Sequence, residues 1–113
     1  RTKMGEVAAR LADYTVVTSD NPRKEPPAAI AAQIEAGYRG ERSEGSRTIL
    51  DRHSAIGNVI QKARPGDTVL IAGKGHETFQ ELHDAVIPFD DRRHAAEILQ
   101  DIMGGGRKIL QAA

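Results

Sequence analysis

Two short stretches hold most of the residues that could do chemistry: Ser19-Asp20-Asn21-Pro22-Arg23 and Gly73-Lys74-Gly75-His76-Glu77. The first places an acid, an amide and a guanidinium side by side, with Pro22 stiffening the backbone between them. A guanidinium is a planar fork that meets a carboxylate with two parallel hydrogen bonds, so Arg23 suits a carboxylate-bearing ligand. Asn21 is a second donor for the same group, and Asp20 can shape the loop or balance Arg23. The second stretch pairs small residues, which let a backbone approach a ligand closely, with the charges of Lys74, His76 and Glu77.

Each stretch also has a plainer reading. Ser, Asp, Asn and Pro in a row make a turn ahead of a helix. The charge of Glu77 would favour a helix N-terminus. Lys74 and His76 are candidates to face a nucleotide, but a solvated loop residue and a structural hydrogen bond describe them as well. A phosphate-binding loop would need Gly-Lys followed by Ser or Thr, and here Gly75 follows Lys74. A dinucleotide fingerprint needs three glycines at fixed spacing, and Glu77 falls short of the third. Both motifs are rejected on spacing.

The elements that must position these loops follow from periodicity. Met4, Val7, Ala8 and Leu11 predict a helix over 4–12, and residues 14–18 a β-branched strand that runs into the first loop. Pro26 and Pro27 suit the first turn of a second helix, carrying Ala29, Ile30, Ala31 and Ile34 and stopping near Gly37. Residues 39–47 read as an exposed polar excursion and 48–50 as a short strand. Asp51 is a good N-cap for a helix over 52–63 with one apolar stripe. The Pro65-Gly66-Asp67 turn then leads into residues 68–72, an apolar run expected to be a buried central strand of a parallel sheet. Residues 79–82 and 85–89 flank His83-Asp84 as a hairpin. Asp90-Asp91 caps a last helix over 92–103, which the triple glycine Gly104–Gly106 should end, leaving 104–113 as a tail. Arg52 either supports the loops or faces nucleotide. His53, His83 and His94 lack metal-ligand spacing and carry no assigned role.

This alternation is an α/β pattern: a Rossmann-like, mainly parallel sheet with flanking helices and a C-terminal antiparallel hairpin. Ligands bind such sheets at the carboxyl ends of the strands, where both loops lie, so residues 20–23 and 73–77 should converge on one crevice. The 113 residues make one domain, and 16 basic against 16 acidic residues point to neither nucleic acid nor membrane. There is no cysteine, hence no disulfide framework and no thiolate chemistry. The chain opens at Arg1 inside helical sequence, which leads us to expect a fragment whose N-terminal strand is missing.

Four segments in order, Ser19-Asp20-Asn21-Pro22-Arg23, Asp51-Arg52, Ala72-Gly73-Lys74-Gly75-His76-Glu77 and Phe89-Asp90-Asp91-Arg92, resemble the C-terminal domain of the Mur ligases. Within that family they resemble the members that add meso-diaminopimelate. The likeness spans the chain from Arg1 to about Ile102, and it implies a domain over 1–103. It further implies an ATP-dependent amide ligase of bacterial peptidoglycan synthesis, cytoplasmic and monomeric, that activates a UDP-muramoyl-dipeptide carboxylate as an acyl phosphate. Asp20, Asn21, Pro22 and Arg23 would then recognise meso-diaminopimelate, with further contacts at Gly73 and Glu77. Lysine-adding relatives lack this arginine. ATP and Mg²⁺ would be bound mainly by a central domain absent from this chain, so no catalytic or metal-binding residue is assigned here and the fragment alone should be inactive. The alternatives are a non-catalytic nucleotide- or anion-binding module, and a structural domain that docks to a partner.

Overall fold

The computed structural model describes residues 1–74 and 76–112; Gly75 of the second loop and Ala113 of the expected tail lie outside the described residues. The chain opens with α1 (Thr2–Leu11) and β1 (Thr15–Val17), and α2 (Pro27–Glu41) crosses over to β2 (Ser46–Thr48). The two strands pair in parallel, Val16 opposite Arg47, and the Ile49 N–H carries the pairing on to the Val17 carbonyl at 2.9 Å. The second strand therefore begins two residues earlier than its apolar residues suggested.

Gly37 does not stop α2, which continues to Glu41. The reason is packing: a Cβ on Gly37 would run into the Thr2 carbonyl, and one on Gly5 into the Ile34 carbonyl. The two helices touch backbone to backbone at their glycines, a closeness no side chain would permit. Tyr38, 1% exposed, closes the far side of this contact and donates to the Glu44 carbonyl at 2.6 Å.

The Asp51 carboxylate caps α3 (Arg52–Lys62), accepting from the Ser54 backbone N–H at 3.0 Å and the Ser54 hydroxyl at 2.7 Å. The Ser54 hydroxyl first, then its N–H, hold the Asp51 carboxyl below its ordinary pKa. A depressed pKa means that the contribution is complete above the unfolded value of about 4 and lost as pH falls through the lower folded value. Asp51→Ala should cost the domain about 1 kcal/mol at neutral pH. Urea unfolding at neutral pH and again well below pH 4 checks this, the gap between variant and wild type closing in acid.

The predicted central strand is corrected. Residues 68–72 run extended, with Val69 and Ile71 partly covered and Leu70 86% exposed, but they form no ladder with β1. An apolar cleft separates the two, bordered by Val16 and Thr18 on one side and Val69 to Ala72 on the other. The apolar β-branched run makes an extended chain, but a strand also needs a neighbour about 4.8 Å away, and the cleft removes it. A hairpin follows as expected: β3 (Phe79–Glu81) pairs antiparallel with β4 (Val86–Pro88), Gln80 opposite Ile87.

The last helix, α4 (Asp91–Ala112), passes through Gly104–Gly106 where a stop was expected. Glycine lowers helix propensity by about 1 kcal/mol but does not forbid helical dihedrals, and helix formers follow it here. Helices α3 and α4 sandwich the apolar core of Ile56, Ile60, Phe89 and Ile98, with Ile71 packed against it. His53 and His94, unassigned in the sequence, meet between these helices with Nδ1 atoms 2.7 Å apart, and His94 stacks on Phe89. Among the described residues, no helix is long and apolar enough to cross a membrane. The described residues form an α/β domain with a small parallel sheet, a hairpin and four helices, consistent with the α/β class expected.

Candidate functional site

The two loops do converge, and a buried lysine joins them. Lys74, 3% exposed, donates to Asp20 Oδ1 at 2.8 Å, Asn21 Oδ1 at 3.3 Å and the Phe79 carbonyl at 2.6 Å. An ammonium has three donors, and all three are placed. This corrects both readings of Lys74, as a solvated residue and as one turned to nucleotide: its charge is used in holding the first loop to the second. It also assigns Asp20, which balances Lys74 and not Arg23. His76 sits exposed in the turn that follows, and among the described residues its side chain makes no hydrogen bond.

Asn21 is committed on both ends. Its Oδ1 accepts the Glu81 N–H at 2.9 Å, and its Nδ2 lies 3.5 Å from Glu77 Oε1. Pro22 is buried beneath the loop. Arg23 follows with φ of 54°, in the left-handed region that costs a non-glycine residue about 1–2 kcal/mol. That conformation is held from β3: the Arg23 N–H donates to the Glu81 carbonyl at 3.1 Å. The Arg23 side chain projects outward, 67% exposed, with Nη2 2.9 Å and Nε 3.0 Å from Glu81 Oε2. A groove between Pro22–Pro27 and the hairpin tip, Leu82 to Asp84, opens beside it.

Gly73 has φ of 113°, and a Cβ there would come within 3.4 Å of Asp20 Oδ2. Its glycine is thus required by the turn itself, in addition to any ligand approach. No helix follows Glu77; residues 76–78 turn directly into β3, which removes the helix N-terminus reading. Glu77, half-buried, donates its N–H to the Lys74 carbonyl at 3.1 Å and turns its carboxylate toward Asn21.

Beneath both loops lies Arg52, 3% exposed. It grips Asp91 with two bonds of 2.7 Å, and donates to the Ser19 carbonyl at 3.0 Å and the Ala72 carbonyl at 3.1 Å. The question left open for Arg52 closes on the side of loop support. The two acids expected to cap the last helix likewise have separate uses. Asp90 caps, accepting the Arg92 N–H at 3.0 Å, while Asp91 neutralises the buried guanidinium. Sequence reasoning missed two participants, Glu81 and the Arg52–Asp91 pair, because neither partner is a neighbour in the chain.

The arrangement offers a guanidinium with an exposed edge, held by Glu81 at the surface, and a half-buried carboxylate beside Asn21. Such a pair can hold a group that carries a carboxylate and an ammonium together. Among the described residues no cluster of His, Cys, Asp and Glu could hold a metal ion.

Residues 1–75 match the family model described as Mur ligase, glutamate ligase domain. Among curated proteins the chain is similar to UDP-N-acetylmuramoyl-L-alanyl-D-glutamate--2,6-diaminopimelate ligases. That of Syntrophomonas wolfei is 51% identical over 100 residues, 88% of this chain and 20% of that protein. That of Streptomyces avermitilis is 50% identical over 108 residues, 92% of this chain and 21% of that protein. That of Prochlorococcus marinus is 54% identical over 99 residues, 88% of this chain and 19% of that protein. The chain spans about a fifth of the length of these relatives.

Proposed function

The chain belongs to the Mur ligase family through its glutamate ligase domain, and from that premise we propose that it is the amino-acid-binding domain of an ATP-dependent ligase. The ligase adds meso-diaminopimelate to UDP-N-acetylmuramoyl-L-alanyl-D-glutamate in peptidoglycan synthesis. The observation that carries the reading is one loop that turns the Arg23 guanidinium outward and, two residues earlier, meets the Glu77 carboxylate through Asn21. Diaminopimelate differs from lysine by a second carboxylate at the far end of its side chain. Arg23 receives that carboxylate, while Glu77 and the Gly73 carbonyl receive the ammonium on the same carbon. Asp20, Asn21 and Pro22 keep the loop in register, Asp20 and Asn21 through Lys74.

ATP and Mg²⁺, in this reading, are held mainly by parts of the parent chain beyond these residues. The residues here fit them poorly: the Lys74 ammonium is already saturated by three oxygens. That fact also weakens the alternative of a nucleotide- or anion-binding module. ATP supplies the activation of the dipeptide carboxylate; this domain binds and orients the amine that attacks it, and acts in bacterial cytoplasm without nucleic acid or membrane.

Phosphate release by the parent chain, with ATP, Mg²⁺ and the UDP-muramoyl-dipeptide, tests the proposal. Release should require meso-diaminopimelate, and L-lysine at equal concentration should not replace it. Release with lysine would keep the family and overturn the recognition assigned to Arg23. Release with neither amino acid would overturn the ligase reading.

A further inference from the structure

We infer that Glu81, on β3, is a positioning residue for the amino-acid site: it aims the Arg23 guanidinium. The inference rests on the amino-acid-binding reading above. Glu81 holds the recognition loop by three separate handles. Its N–H donates to Asn21 Oδ1 at 2.9 Å, and its carbonyl accepts the Arg23 N–H at 3.1 Å. Its carboxylate takes Arg23 Nε at 3.0 Å and Nη2 at 2.9 Å, both on Oε2.

That last contact decides what Arg23 can do. A guanidinium has two forked edges, one along Nε and Nη2 and one across Nη1 and Nη2. Glu81 occupies the first with a single oxygen. The second stays directed outward, ready for a ligand carboxylate. Arg23 is 67% exposed, and its long side chain would otherwise sample many rotamers. Fixing it before the ligand arrives lowers the entropy lost on binding.

Two effects oppose each other here. Glu81 orients Arg23, but its negative charge also repels an incoming carboxylate. The repulsion acts across the guanidinium, at a solvent-exposed position where screening by water and salt is strong. Orientation acts on every rotatable bond of the arginine, so it dominates. An exposed ion pair adds little to folding stability, so the role of Glu81 should emerge in ligand affinity and not in melting temperature. The two backbone handles survive replacement by alanine or glutamine, which keeps the loop in place while the carboxylate is removed.

The test is steady-state kinetics of the full-length parent carrying Glu81→Ala or Glu81→Gln. Glu81→Ala should raise KM for meso-diaminopimelate about tenfold, the equivalent of about 1.4 kcal/mol. KM for ATP and for the UDP-muramoyl-dipeptide, kcat and the melting temperature should stay within about twofold or a degree or two of wild type. Glu81→Gln should recover part of the loss, since its amide oxygen still accepts from Nε. An unchanged KM for meso-diaminopimelate in Glu81→Ala overturns the inference. A lowered KM overturns it in favour of competition between Glu81 and the ligand. A parallel rise in all three KM values with a lower melting temperature overturns it in favour of hairpin support. Failure of the wild-type parent to use meso-diaminopimelate removes the functional reading, and this inference with it, by a result no Glu81 variant can mimic.

Discussion

Arg23→Ala in the parent chain should abolish the use of meso-diaminopimelate, lowering kcat/KM by about 10³-fold or more. A site built to hydrogen-bond a charged group loses far more than one contact when its partner goes, because the ligand's carboxylate is then desolvated without a matching donor. Arg23→Lys should recover little of the loss. An ammonium is a point charge and cannot form the two parallel bonds of a guanidinium, nor can it hold Glu81 and a ligand carboxylate at once. The same change should barely touch folding. Arg23 is 67% exposed and its partner Glu81 33% exposed, so water replaces the pair at small cost.

Arg23→Gly separates the two roles further. Glycine adopts the φ of 54° without steric penalty, so this variant should equal or exceed wild type in stability while being as inactive as Arg23→Ala. Thermal melts and kinetics on the same preparations check both halves. Retained selectivity for meso-diaminopimelate over lysine in either variant would refute the assignment of Arg23.

Breaking the pair between Arg52 and Asp91 should have the largest effect on stability. Removing either partner, as in Arg52→Met or Asp91→Leu, should destabilise the domain by about 3–5 kcal/mol. The side chains are 3% and 10% exposed, so the survivor keeps a charge that water cannot reach. Removing Arg52 also strips the part-buried Ser19 and Ala72 carbonyls of their donor, which adds to the loss to the extent that water does not replace it. The double variant Arg52→Met/Asp91→Leu should be more stable than either single one, since an apolar pair leaves no buried charge behind.

Ligand affinity should not return with that stability. Among the described residues, Arg52 is the one side chain that bonds the carbonyl at the base of each loop, and a methionine cannot bond to either. We therefore expect the double variant of the parent chain to fold yet require a much higher concentration of meso-diaminopimelate. Urea unfolding and substrate titration together read this out. Strictly additive losses of stability would refute the coupling of Arg52 to Asp91, and an unchanged KM in the double variant would show that Arg52 does not anchor the loops.

Much of the local structure was legible in the chain itself. Apolar spacing marked all four helices, Asp51 was recognisable as a cap, and His83-Asp84 as the tip of a hairpin. Both loops were identifiable by residue type, and the α/β alternation brought them to one end of the domain. Errors arose where a residue has a local meaning and a distant use. Gly37 reads as a helix stop, but it is the point where α1 presses on α2. Lys74 reads as loop charge, but it is the buried fastening between the two loops. Asp91 reads as a cap, but it is the counterion of Arg52.

The division has a physical basis. A helix closes its hydrogen bonds within four residues and a cap within three, so the sequence alone determined these elements, the turns and the chemical character of the loops. Ion pairs and strand ladders depend on atoms far away in the chain. Lys74 meets Asp20 across 54 residues, Arg23 meets Glu81 across 58, and Arg52 meets Asp91 across 39. Residues 68–72 have the apolar run of a buried strand but no neighbour to pair with across the cleft. Only the tertiary structure could decide which charge is buried, which is balanced, and which remains turned outward for a ligand.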